Sequence, residues 1–115
     1  MTENEIRYLQ DTKLISAKKY VLRNTVPEQL QHVRSEMFEV IDAYTDYLIS
    51  DHGGDEKTEL GKEIIDLQTA CQTLLEILFS EDEIVHLHRL VRDKNNVRGY
   101  YTEVTIRRMP NNERS

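Results

Sequence analysis

The chain has 115 residues, a mass of 13.6 kDa, and 15 Lys+Arg against 21 Asp+Glu for a net charge of −6, with 31% charged and 38% hydrophobic residues. That size suits one domain with one core, and no apolar run exceeds three residues (Tyr47 to Ile49, Ile77 to Phe79), far short of the ~20 a membrane span needs. A lone cysteine, Cys71, excludes a disulfide framework or cysteine zinc site, the acidic N-terminus lacks a signal-peptide pattern and predicts a cytoplasmic protein, and a pI of about 5.2 argues against nucleic acid as a partner.

Residues 4–22 carry Ile6, Leu9, Leu14, Ala17 and Val21 in an imperfect helical stripe that Asn24 can end. Thr25-Val26-Pro27-Glu28 then reads as a capping box with proline in the first turn, where its missing N–H costs nothing. From there Leu30, Val33, Met37, Val40, Ile41, Tyr44 and Leu48 recur at helical spacing, predicting a long amphipathic helix to about Ser50 with these side chains facing inward. Residues 50–54 form the turn. A second long helix is expected over 55–79, with Leu60, Ile64, Leu67, Cys71, Leu74, Leu75 and Leu78 inside. Ser80 to Glu83 resembles a second capping box, opening a helix that turns Ile84, Leu87 and Val91 inward and frays near Asn95-Asn96. Past Gly99, residues 100–109 are rich in Tyr, Thr, Val and Ile and predict an extended arm or lone strand, followed by a polar tail. The expected fold is therefore all-α: a helical bundle built on a long antiparallel hairpin, with its core over about 20–92 and a short C-terminal extended arm over 99–115.

Two acidic pairs mark the hairpin, Glu36 with Glu39 in the first long helix and Glu63 with Asp66 in the second. Spacing of i,i+3 puts both members of a pair on one face. The spacing alone carries no weight, because Glu39 with Asp42 and Glu56 with Glu59 share it and the acidic content accounts for that many pairs. Position is more informative. The midpoint of Glu39 and Glu63 is residue 51, and so is that of Glu36 and Asp66; folding the helices back about the turn brings the four acids to one height. Carboxylates gathered this way repel one another, and a hard divalent cation resolves the repulsion. A site of oxygen donors without cysteine or histidine suits Mg²⁺, or Mn²⁺, which typically works with a phosphate ester or anhydride.

At these residues the sequence resembles the MazG-like all-α nucleoside triphosphate pyrophosphohydrolases, whose signature is E-x-x-E on one helix and E-x-x-D on the next. Glu36 and Glu39 match the first element, and Glu63 and Asp66 the second; the resemblance covers about residues 20–92. It implies a homodimer or homotetramer with its site near the subunit interface. It also implies four acids that bind Mg²⁺, and cleavage of a nucleoside triphosphate to the monophosphate and pyrophosphate. In this assignment Glu36, Glu39, Glu63 and Asp66 hold metal, and Glu63 also serves catalysis by orienting the attacking water. The chain departs from the family pattern at Ser35, where a second glutamate is common, and over Leu67 to Cys71, where a polar or basic residue is common.

Candidate substrate contacts are His32, one turn before Glu36, together with Lys62, Arg89, Arg92 and Lys94 for phosphate and Tyr47 for a base or a subunit contact. Glu83 and His86 have the E-x-x-H spacing of di-iron bundles, which need that motif twice; here it occurs once. The reading from a different functional class is a non-catalytic helical binding or regulatory module, which the departures at Ser35 and after Asp66 favour.

Overall fold

The computed structural model describes residues 15–50 and 54–101. These form four helices, α1 (Lys18–Arg23), α2 (Val26–Ile49), α3 (Gly54–Leu78) and α4 (Glu81–Val97), and no strand occurs among the described residues. The all-helical class is as expected. The expected arm falls mostly outside the described residues, with Tyr100 and Tyr101 in a turn. The first expected helix, over 4–22, lies partly outside them too, and its described part is shorter than the periodicity suggests. Residues 15–17 are not helical because the Ala17 N–H is drawn onto Thr73 Oγ1 of α3 at 2.9 Å, which holds Ala17 extended as the cap of α1.

α2 begins as the sequence indicates. Thr25 Oγ1 accepts from the Glu28 N–H at 3.3 Å while Glu28 Oε1 accepts from the Thr25 N–H at 3.0 Å, closing the capping box with Pro27 in the first turn. The carboxyl of Glu28 is held below its ordinary range by those bonds from Thr25. α3 opens on Gly54 at φ +40°, a left-handed conformation that glycine adopts without the penalty a Cβ would bring. The chain then returns antiparallel along α2, in a register that sets Gln29 against Ala70 and Glu36 against Glu63.

Side chains at Val26, Gln29, Val33, Glu36, Val40, Ala43 and Tyr47 are the buried or half-buried positions that face α3, and Leu60, Glu63, Leu67, Ala70, Leu74 and Ile77 answer them. Alternating steps of three and four residues define the seam of two helices packed lengthwise. The expected inward face needs correcting here. Val33, Val40, Leu60, Leu67, Leu74 and Leu75 are at least half-buried as expected, whereas Leu30, Met37, Ile41, Tyr44, Leu48, Ile64, Cys71 and Leu78 remain exposed. The apolar stripe on each helix is wider than one seam, so a single neighbouring helix covers only one edge of it.

Polar groups secure the open end of the hairpin. Gln29 is fully buried: its Nε2 donates to the Ala70 carbonyl at 3.0 Å and its Oε1 accepts from Asn24 Nδ2 at 2.8 Å. Thr73, also fully buried, receives the Ala17 N–H and donates to the Thr69 carbonyl at 2.8 Å. An ion pair between Lys18 and Glu76 adds an exposed tie between α1 and α3.

Two compact units are distinguishable, the second starting at Asp82 and taking in nearly all of α4. Within it Ile84 is buried and Leu87 half-buried, but Val91 is exposed, contrary to expectation. α4 also continues past Asn95-Asn96. It ends in a Schellman motif, with the Gly99 N–H on the Asn96 carbonyl at 3.0 Å, the Tyr100 N–H on the Asn95 carbonyl at 2.9 Å and Gly99 at φ +79°.

Thr73→Val tests how α1 is held. Losing its hydroxyl leaves the Ala17 N–H without an acceptor, and urea unfolding should report a loss of about 1–3 kcal/mol, accompanied by faster hydrogen exchange at Ala17. Thr45→Val, whose exposed hydroxyl returns only to the carbonyl of Ile41, should change stability by less than ~0.5 kcal/mol.

Candidate metal centre

The seam that packs α2 on α3 also carries two glutamates where an apolar residue would pack better. Glu36 and Glu63 are both half-buried in it, and Glu39, one turn on from Glu36, is exposed at its edge. One carboxylate oxygen from each of the three lies within 4.8 Å of the others. Glu36 Oε2 and Glu63 Oε2 are buried and have no hydrogen-bond partner. Orphaned buried carboxylate oxygens are costly, and native structures leave few of them without reason.

The surroundings act on these groups unequally. Burial raises the pKa of Glu36, the charge of Glu39 adds to the rise, and His32 partly offsets it by bonding Glu36 Oε1 through Nε2 at 3.2 Å. For Glu63, burial again leads, followed by a hydrogen bond shared with Glu39 and by the charges of Glu39, Asp66 and Glu36; all push its carboxyl upward. Asp66 is exposed and outside the three-oxygen group, yet its charge reaches both seam glutamates.

The donor set fits a hard cation. Ligand oxygens around an ion held at ~2.1 Å lie roughly 3 to 4.2 Å apart, so a spread of up to 4.8 Å closes with a sub-ångström movement of flexible side chains. Glu36 and Glu63, two of the three donors, each carry one of the unpartnered oxygens. Beside the cluster an open groove of about 310 Å³ continues toward the turn, lined by Glu39, Asp42, Asp46, Glu56, Glu59 and Glu63 around Ala43.

The other sequence candidates are placed as follows. His32 stands edge-on against the Tyr20 ring of α1, centroids 5.1 Å apart, so α1 fixes the imidazole that touches Glu36. Lys62 is exposed and its Nζ donates to Glu59 Oε1 at 2.8 Å; that bond and the Glu59 charge raise its pKa, with smaller contributions from Glu63 and Asp66. Tyr47 is half-buried in the seam near the turn, its ring tilted against Tyr44 at 6.4 Å. Arg89, Arg92 and Lys94 belong to α4; Arg92 lines a shallow depression there with His88, Val91 and Tyr101. Ser35 donates to the Gln31 carbonyl at 3.0 Å.

Asp42, Asp46, Glu56 and Glu59 were not singled out by the sequence reasoning. A signal existed for two of them: Asp46 and Glu56 share the midpoint at residue 51 that marks the four candidate ligands. A scan of protein-family models and searches of curated proteins and of solved structures return no match to this chain.

Raised folded-state pKa values at Glu36 and Glu63 mean that protons bind these groups more tightly in the folded chain. Their contribution is fully present below the unfolded carboxylate pKa and is lost as pH rises through the folded value. In chelator, Glu63→Gln should therefore be more stable than wild type at neutral pH, with the gap closing below the ordinary carboxylate range. Thermal melts from pH 3 to pH 8 check this, and a gap independent of pH would contradict it.

Proposed function

We propose that the chain is a Mg²⁺-dependent nucleotide pyrophosphohydrolase of MazG-like architecture, cleaving a (d)NTP to the (d)NMP and pyrophosphate. The observation that carries this reading is the pair of buried, unpartnered oxygens of Glu36 and Glu63 beside Glu39. The E-x-x-E and E-x-x-D elements supplying them lie on opposite helices of the hairpin, as the resemblance implies. Mn²⁺ suits the same oxygen donors.

Glu36 and Glu39 would hold the cation, and the charge of Asp66 acts on the same cluster. When bound, the ion supplies the positive charge a polyphosphate needs and lowers the pKa of water. Glu63 orients the attacking water and accepts its proton, a task helped by a carboxyl whose pKa is raised above its ordinary value. His32, fixed by Tyr20, holds Glu36 in place. The acidic groove excludes a free polyanion, so binding of triphosphate should require the ion first.

A non-catalytic binding or regulatory module remains the second reading, favoured by two observations. Ser35 is engaged with its own helix, and Lys62, the one candidate phosphate contact on α3, is turned to Glu59. Pyrophosphate release from a panel of (d)NTPs with Mg²⁺ separates the readings. Glu39→Ala and Glu63→Gln should each lower kcat/KM by at least ~100-fold with helicity retained, while Asp93→Ala on α4 leaves it unchanged. Release that is insensitive to all three substitutions, or absent with every nucleotide, would contradict the enzyme reading.

A further inference from the structure

Charge is divided unevenly along the chain. Residues 1–83 hold eight Lys or Arg and 18 Asp or Glu, whereas residues 84–115 hold seven and three. The pI of the whole chain averages these two parts and conceals a basic region. In α4 the acids Glu81, Asp82 and Glu83 occupy the first turn, where they suit the helix dipole. From there to Arg98 the cations Arg89, Arg92, Lys94 and Arg98 stand against a single acid, Asp93. Lys94 and Arg98 answer the other end of the dipole; Arg89 and Arg92, in mid-helix, do not. Among the described residues no ion pair engages any of these four, while Lys18 of α1 and Lys62 of α3 are both turned to carboxylates.

At 100° per residue, His88, Arg89, Arg92, Asn95 and Asn96 fall within an arc of about 120° whose only acid is Glu81, two turns before His88. The Schellman motif after Val97 brings the chain back so that the Tyr101 hydroxyl accepts from Asn95 Nδ2 at 3.2 Å. His88, Val91, Arg92 and Tyr101 line an open depression of about 480 Å³ with no carboxylate in its wall. Tyr100 and Tyr101 are 65% and 54% exposed.

We propose that α4 and the turn after it form a docking surface for single-stranded nucleic acid, Arg89 and Arg92 meeting phosphates while Tyr101 stacks on a base. A guanidinium matches two phosphate oxygens at once. An unpaired base offers a ring face to an exposed tyrosine, which a base inside a duplex does not. An anionic membrane would need a continuous apolar face on the same helix, but Leu90 and Val97, the exposed apolar residues across from Arg92, share their side with Glu83, His86 and Asp93. Repulsion by the acids of the hairpin is screened beyond about 8 Å at physiological salt. The proposal concerns α4 and stands whether or not the chain hydrolyses nucleotides.

Fluorescence anisotropy of labelled oligo(dT) and oligo(U), each about 20 nucleotides long, tests the proposal when titrated with the full chain in chelator, which removes any contact bridged by a metal ion. At least one oligomer should bind saturably, and a preference between them assigns the sugar. With about three phosphate contacts, affinity should fall ~20-fold between about 50 and 200 mM salt. Arg89→Ala and Arg92→Ala should each weaken binding at least ~5-fold and flatten the salt slope by ~0.7. Tyr101→Ala should weaken it at least ~5-fold with little change in slope. Arg34→Ala, which removes the same charge from α2 beside Phe38, should leave it unchanged. Circular dichroism checks that the variants, all at exposed positions, keep their helices. No binding of either oligomer at the lower salt overturns the proposal, and so does binding that Arg34→Ala weakens as much as Arg92→Ala, which marks unspecific charge attraction. A mononucleotide bound as tightly as the oligomers marks a nucleotide subsite, and a DNA duplex or anionic lipid vesicles bound more tightly than either oligomer mark a different partner; each of these results overturns it as well.

Discussion

Glu36 and Glu63 face each other across the line along which α2 and α3 pack, at positions where an antiparallel helix pair ordinarily places leucine or alanine. One oxygen of each is taken out of water without acquiring a donor, and the charge of Glu36 pushes the Glu63 carboxyl upward. An apolar pair in their place would pack at no electrostatic cost, so their presence weakens the hairpin unless a cation joins them. The polar ties at the open end have their meaning here. Gln29 to Ala70, Thr73 to Ala17 and Lys18 to Glu76 hold the two helices and α1 in register, which keeps the glutamates together despite their repulsion. Tyr20 carries the same restraint to His32 and, through it, to Glu36.

Because the seam is given over partly to acids and small residues, the large apolar side chains are displaced to its flank. One side of the hairpin accordingly carries the carboxylates of the groove and the other carries Leu30, Met37, Ile41, Leu48, Ile64 and Leu78. Such a division gives the chain two surfaces of opposite character on one pair of helices. The charged side suits a cation and, through it, an anion; the apolar side leaves its large side chains half-exposed. On α2, the residues of one side are turned away from those of the other by roughly half a helical turn.

Much of this was legible in the amino-acid order. The capping box at Thr25, the long helix after it, the turn near Gly54 and the convergence of Glu36, Glu39 and Glu63 all follow from local chemistry and from distances measured along the chain to the turn. The seam itself did not. Leu30, Met37 and Ile41 share a helix face with Val33 and Val40, and periodicity cannot say which edge of a wide apolar stripe meets the neighbouring helix; that choice depends on the register set by Gln29 and Thr73, two polar residues that hydropathy ranks as surface. The end of α4 was misjudged for a related reason, because Asn95 and Asn96 read as helix breakers until Gly99 is seen to close a Schellman motif on their carbonyls. In the wider acidic lining, Asp46 and Glu56 followed the same mirror rule as the candidate ligands and were hidden by how common acidic pairs are in this composition.

Direct titration of the metal-free chain with Mn²⁺, followed by the loss of the free-ion electron paramagnetic resonance signal, tests the central claim that the seam glutamates form a cation site. The account predicts saturable binding of at least one ion per chain, competed by Mg²⁺, weakened at least ~10-fold by Glu36→Gln and by Glu63→Gln and left unchanged by Glu81→Gln. Binding that fails to saturate, or that survives both seam substitutions undiminished, would mean that the acids of α2 and α3 are a solvated surface and not a site.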